Sequence, residues 1–171
     1  IDINKTDSLQ RTVLHYACET NNLIFLENLF NFFQGELKID LIDIDKNTAF
    51  FSALKHSSID CINYFIKANL IDINESDLVN NDNPLIIATK LKNIEMVKLI
   101  LPLPSIDINK QNNDIFIFLF FLWNFLFIFL NNAPIHVACE NELFTFVKIF
   151  LYHCKININL KNNKGIRFVF K

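Results

Sequence analysis

Glycine is almost missing from this chain: there are two in 171 residues, beside four prolines and a single methionine. So few glycines leave little for a loop that cradles phosphate, and no G-x-x-x-x-G-K-[ST], G-x-S-x-G or H-E-x-x-H occurs. The four cysteines, Cys18, Cys61, Cys139 and Cys154, form no C-x-x-C pair. Scattered among apolar neighbours, they are expected to be reduced core thiols of an intracellular, cytoplasmic protein. An excess of one charge is lacking too. Sixteen basic against eighteen acidic side chains give a formal net charge of -2, which offers no electrostatic grip on nucleic acid. Nothing at the N-terminus reads as a signal peptide. The chain opens on Ile1, inside an I-D-I-N phrase, as a piece of a longer product is expected to.

What is present is repetition. T-V-L-H-Y-A-C at Thr12 to Cys18 returns as A-P-I-H-V-A-C at Ala133 to Cys139. Weaker copies stand at Thr48 to Leu54 (T-A-F-F-S-A-L) and Asn83 to Thr89 (N-P-L-I-I-A-T), and a truncated one begins at Arg167. The boxes start at 12, 48, 83, 133 and 167, so the intervals are 36, 35, 50 and 34. A near-constant period of that size signals stacked supersecondary units. With T-x-L-H-x-A at its head, the pattern resembles the ankyrin repeat, whose box is T-P-L-H-x-A within about 33 residues. The resemblance covers nearly the whole chain. It implies an all-α ankyrin-repeat solenoid of about four helix-turn-helix units with turn loops between them, interrupted by a hydrophobic insertion. The expected units are roughly 7–42, 43–77, 78–111 and 112–161, with a partial fifth at 162–171, in one array.

Thr12 suits a helix N-cap because its hydroxyl can accept from a free amide of the first turn. In the family the box histidine bonds back toward that threonine, and Thr12 with His15 can do the same. Thr48 has Phe51 in the histidine place and Asn83 has Ile86, while His136 faces Ala133, so only the first box keeps the pair and the other first helices are expected to be softer. Each second helix carries apolar residues every three to four positions: Leu23, Leu26, Leu29 and Phe30; Ile59, Ile62, Phe65 and Ile66; Ile94, Val97, Ile100 and Leu101; Phe144, Val147, Phe150 and Leu151. That spacing lays one apolar stripe along each helix, to be buried by neighbouring units, with Glu27, Asn63, Lys98 and Lys148 facing water. Consensus turns place glycine two residues before the box. Here Gln10, Lys46, Asn81 and Asn131 stand in that column and only Gly165 keeps it, so side-chain-bearing residues are expected in left-handed backbone.

One run breaks the rhythm: Ile115 to Leu130, sixteen residues with a single polar side chain, Asn124. Removing it turns the interval of 50 into 34, so it is an insertion at a turn tip. As a transmembrane helix it reaches about 24 Å against a ~30 Å hydrocarbon core, and it would split the stack. It can also be an apolar finger for a partner. The favoured reading is a low-complexity interruption, whose lack of proline and charge favours aggregation.

Catalysis is not expected, nor a cofactor, a metal or a small-molecule substrate. The pairs His15 with Cys18 and His136 with Cys139 put a nitrogen and a sulfur on one helical face, but the two lie three repeats apart and cannot share one ion. The resemblance instead implies binding of partner proteins, as yet unidentified, along a strip of turn tips and first helices. Carried over position by position, the turn residues are Ser8, Leu9 and Arg11; Ile44, Asp45 and Asn47; Val79, Asn80 and Asp82; and Asn113, Asp114 and Asn132. The helix residues are Glu19 and Thr20, Lys55 and His56, Lys90 and Leu91, and Glu140 and Asn141. The expected function is therefore a non-catalytic protein-interaction scaffold. Its alternative is a membrane-attached repeat protein anchored through Ile115 to Leu130.

Overall fold

The computed structural model describes residues 2–112, 116–118, 127–129, 133–134, 137–138, 144–152, 157 and 161. Over these the chain is all-α apart from one short two-stranded ribbon, and it divides into two compact units, residues 1–79 and 80–171. The first unit holds two helix pairs: α1 (Val13–Glu19) with α2 (Leu23–Phe32), and α3 (Ala49–Lys55) with α4 (Ile59–Lys67). In the second, α5 (Pro84–Lys90) pairs with α6 (Ile94–Ile100), followed by β1 (Phe116–Phe118), β2 (Phe127–Phe129) and α7 (Phe144–Leu151).

The three box helices α1, α3 and α5 are each seven residues long because the same chemistry starts and stops them. Thr12, Thr48 and Asn83 sit in extended backbone at the N-cap. Thr48 Oγ1 accepts from the amide of Phe51 at 3.4 Å, and Asn83 Oδ1 from that of Ile86 at 2.9 Å. Helix α5 also starts on Pro84, whose fixed φ suits the first helical position. Loss of the histidine therefore does not leave the second and third boxes uncapped.

At the other end, Asn21, Ser57 and Lys92 adopt left-handed φ of 50°, 57° and 56°. The amide after each reaches back to the last turn: Asn22 to the carbonyl of Ala17 (2.9 Å), Ser58 to that of Ala53 (2.9 Å) and Asn93 to that of Ala88 (3.0 Å). This 6→1 bond, with the accompanying 5→2 bond, is a Schellman stop, built here three times without glycine. The residue that closes the first helix then opens the second: Asn22 Oδ1 accepts from the amide of Phe25 and Asn93 Oδ1 from that of Met96, both at 3.0 Å.

Burial follows the apolar stripe. Leu26, Leu29, Ile62, Phe65, Val97, Ile100, Val147 and Phe150 are buried, as are Cys61, Met96 and Phe146 just off it, whereas Ile94, expected inside, is exposed. Glu27, Lys98 and Lys148 face water and Asn63 is half-buried. In the first unit α1 packs on α2 and α3, and α4 on α2 and α3. Aromatic rings fill that junction. Phe30 lies 5.5 Å from Tyr64 and 6.1 Å from Phe65, and Phe50 lies 5.6 Å from Phe65 and 5.9 Å from Phe51. Such tilted and edge contacts add to area burial. Cys18 and Cys61 are free, buried thiols, and a hydrogen bond with Cys61 together with burial pushes the Cys18 thiol up, so it stays protonated. Cys139 and Cys154 lie outside the described residues.

Six residues of the insertion are described, and they are extended. β1 and β2 pair antiparallel with Phe116 opposite Phe129, Ile117 opposite Ile128 and Phe118 opposite Phe127. No described helix is long and apolar enough to cross a membrane.

Candidate functional site: the turn and box-helix face

Two successive turns of the first unit are built alike. Asp7 donates its amide to the carbonyl of Arg11 at 3.0 Å, and Asp43 does the same to Asn47 at 2.9 Å. Each carboxylate folds back over its own turn, Asp7 Oδ1 accepting from the amide of Arg11 and Asp43 Oδ1 from that of Asn47, both at 2.8 Å. This is the aspartate turn, in which a side chain stands in for a backbone acceptor. Gln10 and Lys46 close the turns at φ of 60° and 62°, and Asn81 in the third turn stands at 57°, as the glycine column predicts. Asn131 lies outside the described residues. The first two turns are stitched together by the amide of Ile44, which donates to the carbonyl of Leu9 at 2.9 Å.

His15 ties the first box to the second turn. Its Nδ1 accepts from the amide of Thr12 at 3.1 Å, with the Thr12 hydroxyl 2.9 Å away. An Nδ1 that accepts from an amide carries no proton, so the neutral ring holds its hydrogen on Nε2, which donates to the carbonyl of Asn47 at 3.0 Å. Both ring nitrogens are thus engaged, and neither offers a lone pair to a metal. Among the described residues no group of three or more His, Cys, Asp or Glu side chains could hold an ion.

A second device brackets each turn against its helix. The residue just before the box meets the residue at the helix end, eight positions on. Arg11 Nη1 reaches Glu19 Oε2 at 3.2 Å, Lys55 Nζ donates to Asn47 Oδ1, and Lys90 Nζ meets Asp82 Oδ2 at 2.6 Å. The polarity reverses between repeats: cation on the turn in the first, cation on the helix in the second and third. Arg11 is held further by Asp7 Oδ2 (2.9 Å) and by Tyr16, over whose ring the guanidinium lies 4.4 Å from the centroid. The hydroxyl of Tyr16, donating to Asp7 at 2.7 Å, and then the amide and side chain of Arg11 hold the Asp7 carboxyl far below the usual carboxylate range.

These contacts decide how the sequence candidates are used. Leu9, Arg11, Glu19, Ile44, Asp45, Asn47, Lys55 and His56 come together around one groove of about 280 Å³ in the first unit. Asp43 and Ser52 complete its lining. Neither was expected there, although aspartate five residues before both threonine boxes was a signal in plain view. Leu9 and Ile44 stand out at the tips, 43% and 57% exposed. Asn47 and Asp82 are instead buried, at 5% and 3%, and spend their side chains inside the turn brackets. Ser8, Thr20, Val79, Asn80 and Leu91 are exposed, and Lys90 is half-buried. Asn113, Asp114, Asn132, Glu140 and Asn141 lie outside the described residues.

By class, repeated units of a turn and two short helices, closed by the same caps each time, make a helical-repeat solenoid. The chain belongs to the ankyrin-repeat family: the family described as ankyrin repeats (3 copies) matches residues 1–77 and 26–112. It is 29% identical over 123 residues to the ankyrin repeat protein FPV031 of Fowlpox virus (strain NVSL), covering 71% of this chain and 31% of that one. The chain therefore spans about a third of the length of that relative. Among solved structures it is similar to the ankyrin repeat domain of Bcl-3, of the IkappaB protein family, with a TM-score of 0.80 at 20% identity over 98% of this chain and 65% of that one. A chain of the complex between the Bd0816 predatory endopeptidase of Bdellovibrio bacteriovorus and immunity protein Bd3460 matches at a TM-score of 0.67 and 19% identity, over 98% of this chain and 76% of its own. At these identities the likeness shows the fold, an all-α ankyrin-repeat solenoid.

Proposed function

We propose that the chain is a non-catalytic protein-interaction scaffold, its repeats forming one array that binds partner proteins through the strip of turn tips and first helices. The observation that carries this reading is the groove of the first unit, where eight of the ten lining residues are strip positions. Its walls are apolar at Leu9 and Ile44, and such exposed aliphatic tips favour a macromolecular surface over a small polar ligand. Ankyrin repeats generally act as interaction modules, and one chain of like fold comes from a protein complex. The buried free thiols Cys18 and Cys61 suit a reducing, cytoplasmic setting.

The test is comparative capture. Chain carrying Leu9→Arg and Ile44→Arg should lose partner proteins that the unmodified chain retains, while Lys67→Glu, on the exposed side of α4, should keep them. Equal retention by both variants, with helix content unchanged by circular dichroism, would remove the strip from consideration.

A further inference from the structure

The groove of the first unit also carries a statement about what it binds, and that statement rests on the interaction reading above. Both of its cations are already paired within the chain. Arg11 is shared among Asp7, Glu19 and Tyr16, and Lys55 donates to Asn47 Oδ1 with Asp77 4.0 Å away. Three of its acceptors are not. Asp45 is exposed, and its carboxylate meets no partner among the described residues. Glu19 gives one oxygen, Oε2, to Arg11 and keeps Oε1 unoccupied among them. His56 Nδ1 lies 2.9 Å from the carbonyl of Ser52. A carbonyl can only accept, so the proton sits on Nδ1, and in the neutral ring Nε2 of this exposed residue is left as a bare acceptor.

A cleft with two aliphatic walls and three unfilled acceptors, whose own two cations are already paired with polar or acidic groups of the chain, is complementary to a donor-rich cation on an apolar stem. We infer that this groove receives an arginine side chain of a partner protein, flanked by an aliphatic residue that packs against Leu9 and Ile44. The guanidinium offers five donors in a fixed fork and is weakly hydrated, so it can serve Asp45, Glu19 and His56 at once, which a single ammonium point charge does less well. The methylene stem of arginine covers apolar surface while its head reaches the carboxylates.

The probe is a capped Leu-Arg-Leu peptide, titrated into the full chain and followed by amide chemical shifts, beside capped Leu-Gln-Leu and Leu-Glu-Leu. Saturable shifts should centre on Leu9, Ile44 and Asp45, with the arginine peptide roughly tenfold tighter than the glutamine one. Asp45→Asn, a change at an exposed and unpaired position, should remove most of that advantage without altering the fold. Equal affinity for the arginine and glutamate peptides, or shifts that map elsewhere, would overturn the inference. A random dodecapeptide selection on the full chain, counter-selected on the Leu9→Arg, Ile44→Arg variant, separates the two claims. Groove-dependent binders that lack arginine sink the partner chemistry and leave the strip standing. Absence of any binder that needs Leu9 and Ile44 counts against both.

Discussion

His15 and Phe51 occupy the same place in successive boxes, three residues after the cap, and hold their surroundings by different forces. The histidine is buried and spends both nitrogens on backbone, one on the amide of Thr12 and one on the carbonyl of Asn47 in the next turn. Phenylalanine can do neither. Its ring is buried 5.9 Å from that of Phe50, and it lines a separate groove with Leu70, Ile71 and Leu78. Ser76, beside that groove, keeps a buried hydroxyl without a partner among the described residues. The second junction has therefore exchanged a polar link between box and following turn for apolar area. The fold survives the exchange because the cap itself rests on Thr48, whose hydroxyl still meets the amide of Phe51.

The comparison breaks most visibly at Phe51→Ala. Removing a buried aromatic side chain leaves a cavity that costs about 3 to 5 kcal/mol, which urea denaturation would read directly. A loss near that of a surface substitution would mean that the second junction is not held by packing. His15→Ala should cost less, about 1 to 3 kcal/mol, because it strands the buried amide of Thr12 and the carbonyl of Asn47 rather than opening a large void. His15→Phe sharpens the contrast: if apolar area alone can fill the column, that variant approaches the parent stability, and if the backbone bonds decide, it stays near the alanine variant.

Smaller effects come from the turns. Lys46 and Gln10 hold φ near +60°, which L side chains resist by about 1 to 2 kcal/mol. Glycine relieves that strain but enlarges the freedom of the unfolded chain. Lys46→Gly and Gln10→Gly should therefore raise stability by only about 0.5 to 1 kcal/mol each, seen as a higher denaturation midpoint with unchanged slope. Asn81→Gly should gain less, since asparagine already tolerates this region.

How much of this was legible in the residues depends on whether a feature keeps its residue type from unit to unit. The boxes, the apolar stripe and the left-handed place of Gln10, Lys46 and Asn81 could be read because spacing and column carried them. The second left-handed column, Asn21, Ser57 and Lys92, shares no residue type and passed unread, although it stops all three box helices. The turn brackets were hidden for a further reason. Arg11 with Glu19 and Asp82 with Lys90 reverse their charges, and partners eight residues apart across a cap lie outside the i, i+4 rule that flags pairs on one helix. The run from Ile115 to Leu130 is apolar at nearly every position, so it has no period from which its antiparallel pairing could be inferred.

The smallest expected effect is also the one with a definite pH signature. Asp7 lies at the surface, where ion pairs contribute little, yet its carboxylate accepts from the Tyr16 hydroxyl and from Arg11, and these bonds hold its proton affinity below the ordinary value. A carboxyl depressed in the folded state adds stability that is fully present above the unfolded-state pKa, about 3.9, and is lost as pH falls below it toward the folded-state value. Asp7→Asn should therefore lower the melting temperature slightly at neutral pH, and the two proteins should converge as acid is added. Asp43 makes the same turn bonds in the second turn but has neither a tyrosine nor an arginine on its carboxylate, its side-chain partner being Asn47. A melting difference for Asp7→Asn that persists unchanged through the carboxylate range would show that the turn needs the shape of aspartate and not its charge, which would make the first and second turns equivalent after all.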